Sequence, residues 1–283
     1  SYSVTGVQTC ALPICIIFFI IIPLMGSFFA FLEKIRPTIH SGKPAVIAAY
    51  TGCFLLLAFY APAILKGSQY ESFVGNWSGI AGIGQTLDGY AWIGLAVMYC
   101  VSALSVLFAF AEKKYDASFY FFFLVLVAGM SGVLLASDLF NLFVCLEIVG
   151  ICSYILISFS TKDQALWASF KYLALSTLGI SLFLVGVFLV YKNTGTLFIG
   201  GLAEYFSREG SRSLETSLAL ACIFTGIGVR TAFVPFHTWL PDAHAFAPHP
   251  VSAILSGVVI KVSFLALWRL ITVWGLGDRK SVV

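Results

Sequence analysis

Charge is what this chain has least of. Its 283 residues include 16 Lys or Arg and 13 Asp or Glu, so charged residues make up only 10%. A soluble domain carries about 25%, and a water-facing globular surface is therefore excluded. The net charge of +3 is small and scattered, with no basic stripe. Nucleic acid is excluded as a partner, because no nucleic-acid-binding motif is present. No CxxC pair, dinucleotide fingerprint or Walker motif occurs, so no redox or nucleotide cofactor is expected in this chain. The seven Cys are odd in number, which rules out a fully paired disulfide framework. They read as small apolar helix residues.

Apolar residues fill the space that charge leaves. Hydrophobic residues are 60% of the chain, aromatics 16%, and the mean hydropathy is +0.97. Eight apolar runs approach the ~20 residues that a membrane span needs. They are Cys15 to Leu32 (interrupted by Pro23), Ala45 to Leu65, Tyr90 to Ala111, Phe119 to Ala136, Leu139 to Phe159, Ala165 to Tyr191, Ser217 to about Phe236, and Pro250 to Leu270. In hydrocarbon every backbone polar group must find an internal partner, and runs of this length do so as helices. The fold class expected is all-α, a polytopic transmembrane bundle of about eight spans.

The loops are short except two. Lys66 to Gly89 is Gly-rich and mixed. Thr194 to Thr216 is polar and either holds a short interfacial helix around Leu202 to Phe206 or is a solvated connection. Lys34, Arg36, Lys43, Lys113, Lys114 and Lys162 follow odd spans, and Lys66, Lys192, Arg208, Arg212 and Arg269 flank even ones. That bias places the odd-span loops in the cytoplasm.

Both ends look foreign to the rest. Residues 1–14 (SYSVTGVQTCALPI) and 277–283 (GDRKSVV) resemble translated sequencing-adaptor read-through and are set aside as a non-native leader and tail. On that reading the chain is a fragment of a longer gene. The remainder divides into N-terminal helices 1–3 (15–118) and a five-helix unit (119–273).

Four ionisable residues sit inside apolar runs: Glu147, Lys171, Arg230 and Lys261. A charge at mid-membrane costs ~2.5–3.5 kcal/mol on insertion scales, so such residues face the protein interior, pair with one another, and mark ion or proton paths. Arg230 lies beside a break. Gly226 and Gly228 loosen the seventh span, and Pro235 removes a backbone donor. A helix broken at membrane depth needs cover from protein or a water-filled cavity, and discontinuous helices line ion sites in transporters. The alternative is an ordinary proline kink.

Beyond the break, His237, Asp242, His244 and His249 fall within thirteen residues. The spacing is not HExxH and prolines intervene, so no metal is expected. His titrates near neutral pH, so His237 and His244 are candidate relay or gating residues, or else hydrogen-bond an irregular loop. Pro235 belongs with them as the gating break. Asp138, at the mouth of the fifth span, reads as a helix N-cap or as a guide for protons entering a cavity.

The string VRTAFVPFHTWLPDAHAFAPHPVSAILSGVVIK, with DLFNLFVCLEIVGICSYILI upstream, closely resembles the proton-translocating antiporter-like family. That family comprises the large membrane subunits of complex I and of membrane-bound hydrogenases, and the A and D subunits of Mrp-type Na⁺/H⁺ antiporters. The resemblance runs from about Asp88 to Arg269. It implies two inverted five-helix repeats, of which 119–273 would be the first.

It also implies a proton path in which a fifth-span Glu pairs with a seventh-span Lys and an eighth-span Lys continues the route. Glu147 and Lys261 match the first and last of these positions. Arg230 stands where the family usually has Lys. Arginine stays charged in proteins, so Arg230 is expected as a fixed countercharge holding Glu147 ionised, with Lys171 or Lys261 as the titratable amine.

The resemblance further implies a proton or Na⁺/H⁺ translocating subunit of an NADH:quinone oxidoreductase-like, Mrp or hydrogenase complex. The expected partners are the lipid bilayer, other membrane subunits, and H⁺ or Na⁺, and the expected place is a prokaryotic inner membrane. Any oxidoreductase chemistry would lie in other subunits. A structural subunit that does not transport, favoured by Arg230, and a small-solute transporter are the competing readings.

Overall fold

A computed structural model describes residues 13–36, 42–74, 83–160, 162–209 and 214–274. The expected non-native tail lies outside these residues, as does the expected leader apart from its last two residues. After a short 3-10 turn, the apolar runs form α1 (Phe18–Ile35), α2 (Gly42–Ile64), α3 (Gly89–Glu112), α4 (Ala117–Leu135), α5 (Leu139–Ser158) and α6 (Asp163–Thr194). The rest is α7 (Ile199–Glu209), α8 (Leu214–Arg230), α9 (Leu240–Phe246), α10 (His249–Ile254) and α11 (Ile260–Val273). Seven helical segments among the described residues are long and apolar enough to cross a membrane. The expected seventh span is the one not among them: its helix, α8, stops at Arg230, and α9 follows after an irregular stretch.

Three aspartates start three of these helices. The carboxylates of Asp88, Asp116 and Asp138 accept the amides of Ala91, Phe119 and Asn141, which satisfies donors that a first helical turn leaves open. The core gathers on α4, whose apolar span is 83% buried, against 33% for α1 and for α2. Helix α4 packs against α1, α3, α5 and α11.

Pro23 does not interrupt the first span. Helix α1 runs through it without a break. Proline withholds the N–H that the carbonyl four residues earlier would accept. Here that carbonyl is Phe19 O, and the buried Tyr99 hydroxyl of α3 donates to it at 2.9 Å. Ser131 of α4 shares the same hydroxyl at 2.8 Å.

The long mixed loop after α2 contains an antiparallel hairpin, β1 (Tyr70–Val74) with β2 (Ile83–Leu87), so the bundle is all-α with this one exception among the described residues. Strand β2 docks on the α4–α5 connection, where Ser137 N donates to Gly84 O at 3.1 Å and Gly84 N donates to Asp138 Oδ2 at 3.0 Å. The polar connection near Leu202 does hold a short helix, α7.

Helices α6 and α8 approach closely because Gly226 faces α6 without a side chain; a Cβ there would lie 2.6 Å from the Gly179 carbonyl oxygen. Small residues at such contacts are the usual means of packing helices in a bilayer. Between α10 and α11 the chain widens into a π segment, Leu255–Val259.

Candidate functional site

Helix α8 ends where Ala232 takes a positive φ of 52°. Three of its last four carbonyls are satisfied. The Thr231 hydroxyl donates to Ile227 O at 3.2 Å and Gly228 O at 3.1 Å, and Trp239 Nε1 donates to Val229 O at 3.0 Å. Trp239 is fully buried and stacks on Tyr172 of α6, with ring centroids 4.1 Å apart. The break is thereby fastened to both α8 and α6. Pro235 lies exposed within it, next to a 3-10 turn, Phe236–Trp239, that carries the exposed His237.

Arg230 occupies the last turn of α8, where the helix dipole favours a cation. Its side chain is 2% exposed, and Nη2 donates to Glu147 Oε1 of α5 at 3.0 Å. Nε and Nη1 are buried without a hydrogen-bond partner among the described residues. Glu147 is 34% exposed. The pair thus has one sealed end and one that reaches the surface of the described chain.

Lys171 does not reach this pair. It lies on α6 and meets Asp242 Oδ2, in the first turn of α9, at 2.7 Å. Two residues further along α9, His244 Nδ1 and Ser252 Oγ of α10 are 3.2 Å apart. Lys261 is exposed just past the π segment, and its Nζ donates to the Ser256 carbonyl. No acidic side chain pairs with it among the described residues.

Asp138 is 7% exposed and stands apart from this row. Its carboxylate caps α5 through Asn141 N at 2.7 Å and holds Gly84 N of the hairpin. Burial pushes its pKa up, opposed by the amides of Asn141, Gly84 and Phe140. No group of three or more His, Cys, Asp or Glu converges on a metal-sized site among the described residues.

Around the helix break the structure therefore gathers a guanidinium–carboxylate pair sealed at its arginine end, a half-exposed ammonium–carboxylate pair and a histidine, with an exposed lysine beyond the π segment. These are groups that can hold, repel or hand on a proton. Asp242 is the partner that sequence reasoning missed as a charge-pair member. The signal was there, an acid directly after a proline break in an otherwise apolar stretch.

Residues 136–279 match the model of the NADH:quinone oxidoreductase/Mrp antiporter transmembrane family. Over 271 residues the chain is 33% identical to the N-type subunit of NADH-quinone oxidoreductase from Desulforudis audaxviator, covering 93% of this chain and 53% of that protein. It is 30% identical over 262 residues to the D-type subunit of the Na⁺/H⁺ antiporter from Alkalihalophilus pseudofirmus, covering 89% and 51%. A chain of the membrane-bound sulfane sulfur reductase, an archaeal respiratory membrane complex, superposes with a TM-score of 0.84 at 29% identity, covering 93% of this chain and 53% of that one. The chain spans about half the length of the curated relatives it matches.

Proposed function

This chain belongs to the NADH:quinone oxidoreductase/Mrp antiporter transmembrane family, and from that membership we propose that it is part of a membrane subunit that moves H⁺, or exchanges Na⁺ for H⁺. The observation that carries the reading is the pair between Glu147 and the 2% exposed Arg230, closed at 3.0 Å at the end of a broken helix. Opposite charges buried within apolar spans are costly, and ion pathways are the usual reason for keeping them.

Arginine keeps its proton in proteins, so Arg230 supplies a fixed charge rather than a relay step. While Glu147 compensates it, the site is quiet. When a conformational shift or a neighbouring charge draws Glu147 away, the bare guanidinium repels cations nearby. Lys171 relieves that repulsion by releasing a proton to water, with Asp242 holding it until then. His244 and Lys261 extend the route along α9 to α11. Asp138 keeps its N-cap role and fixes the start of α5, which carries Glu147.

The five-helix unit at 119–273 corresponds on this reading to one antiporter-like repeat. Lys261, exposed in mid-span, calls for cover by further protein or water. Other membrane subunits are the partners that fit this need, in a prokaryotic inner membrane, with electron chemistry assigned to them and none to this chain. A non-transporting structural subunit is the second reading, favoured by the permanently charged Arg230.

Glu147→Gln in the full-length protein separates the two. Flux measured in vesicles is expected to vanish while insertion is unchanged. Normal flux in the variant removes Glu147 from the charge path, and the absence of flux in the wild-type protein overturns the translocation reading.

A further inference from the structure

Gly150 lies inside α5, three residues after Glu147 and so on the same face of the helix. Its backbone gives no reason for glycine. The residue is within a regular helix, where alanine is the better former, and it has no positive φ. The reason lies opposite it. A Cβ at this position would come within 2.8 Å of both Cζ and Nη2 of Arg230, and closer still to Nη1. Side-chain carbons do not approach other atoms that closely. Arg230, at 2% exposure, has no solvent to retreat into.

We propose that Gly150 is a positioning residue that decides which cation position 230 can carry: its bare backbone makes the room in which a guanidinium reaches Glu147. A guanidinium is a broad planar fork, whereas an ammonium is a compact point charge on a flexible stem. Lysine at position 230 could reach the carboxylate without lying across α5. Arginine cannot, because its head rests against the backbone one turn beyond Glu147. Glycine at 150 and arginine at 230 therefore form a matched set. The inference uses the translocation reading only where it speaks of flux.

The test compares four full-length proteins in their assembly: wild type, Gly150→Ala, Arg230→Lys and the double variant. Folded yield and thermal unfolding are measured in detergent, and flux in vesicles. Gly150→Ala is expected to lower flux about 10- to 100-fold, the usual penalty for misplacing a functional group by an ångström, and to lower the unfolding temperature. In the Arg230→Lys background the same alanine should leave both readouts near those of its parent. If Gly150→Ala prevents folding outright in the arginine protein but not in the Arg230→Lys background, the proposal stands on yield alone. Equal damage in both backgrounds, damage confined to the lysine background, or none in either, overturns it. The wild type in the same series keeps the two ideas apart. Absence of flux in the wild type removes the translocation reading, while the unfolding comparison still decides Gly150.

Discussion

Lys171 Nζ and Asp242 Oδ2 lie 2.7 Å apart, joining α6 to the first turn of α9 across the break that follows Arg230. Their side chains are 37% and 36% exposed in the described chain. The Arg230–Glu147 pair is its opposite in this respect, with a guanidinium sealed from solvent. On the mechanism proposed above, the first pair exchanges protons and the second holds a charge still.

Breaking the exposed pair should therefore change flux more than stability. Ion pairs of that exposure contribute ~0.2–1 kcal/mol. Asp242→Asn is expected to shift unfolding by no more than this, while flux in vesicles falls. A large loss of stability with normal flux would make the pair a structural tie.

Arg230→Ala should behave the other way. Removing one partner of a buried pair leaves an uncompensated charge and costs ~3–5 kcal/mol. Because Glu147 is 34% exposed, the lower end, about 3 kcal/mol, is expected. Unfolding in detergent measures it. Flux against pH should also change relative to wild type, and an unchanged profile across the range removes Arg230 from the charge path.

Lys261 separates a fixed charge from a titrating one. Lys261→Ala is expected to reduce flux strongly. Lys261→Arg keeps the charge but cannot release a proton, so it should not restore flux. Full activity with arginine would assign Lys261 a purely electrostatic role.

Asp138 gives a pH dependence with a definite sign. Burial raises its pKa in the folded protein. A raised folded-state value means that its contribution to stability is full below the unfolded-state pKa and is lost as pH rises through the folded-state one. Unfolding temperature should decline through this group between acidic and neutral pH, and Asp138→Asn should flatten that component. An unchanged slope in the variant would show that Asp138 is not its source.

Tyr99→Phe tests the proline in α1. The Phe19 carbonyl would lose the donor that replaces the missing Pro23 amide. A buried acceptor left open costs about 1–3 kcal/mol, and the loss should appear in unfolding experiments with flux retained in the folded fraction.

The membrane bundle was legible because spans announce themselves by length and apolarity. The break after Arg230 was legible because Gly226, Gly228 and Pro235 act locally. What escaped depends on distant partners. Pro23 reads as an interruption until Tyr99, 76 positions later, supplies the absent donor. Lys171 and Asp242 are 71 residues apart, and nothing local joins them. The hairpin strands are five residues each and lack a clean apolar alternation. Gly150 reads as a weak helix residue until the guanidinium opposite it is seen.

Arg269, near the far end of α11, grips two other elements at once: Asp88 Oδ2 at 3.1 Å and the Leu134 carbonyl at 3.2 Å. At its near end the same helix emerges from the π segment, where backbone bonding is widened. Were that widened turn to yield, α11 would pivot on the Arg269 clamp. Lys261 sits eight residues from the clamp, about 12 Å at 1.5 Å per residue. A tilt of roughly 10° would carry it ~2 Å, far enough to take its amine away from the Ser256 carbonyl. The amine at the end away from the clamp would then travel furthest, as the tip of a lever does.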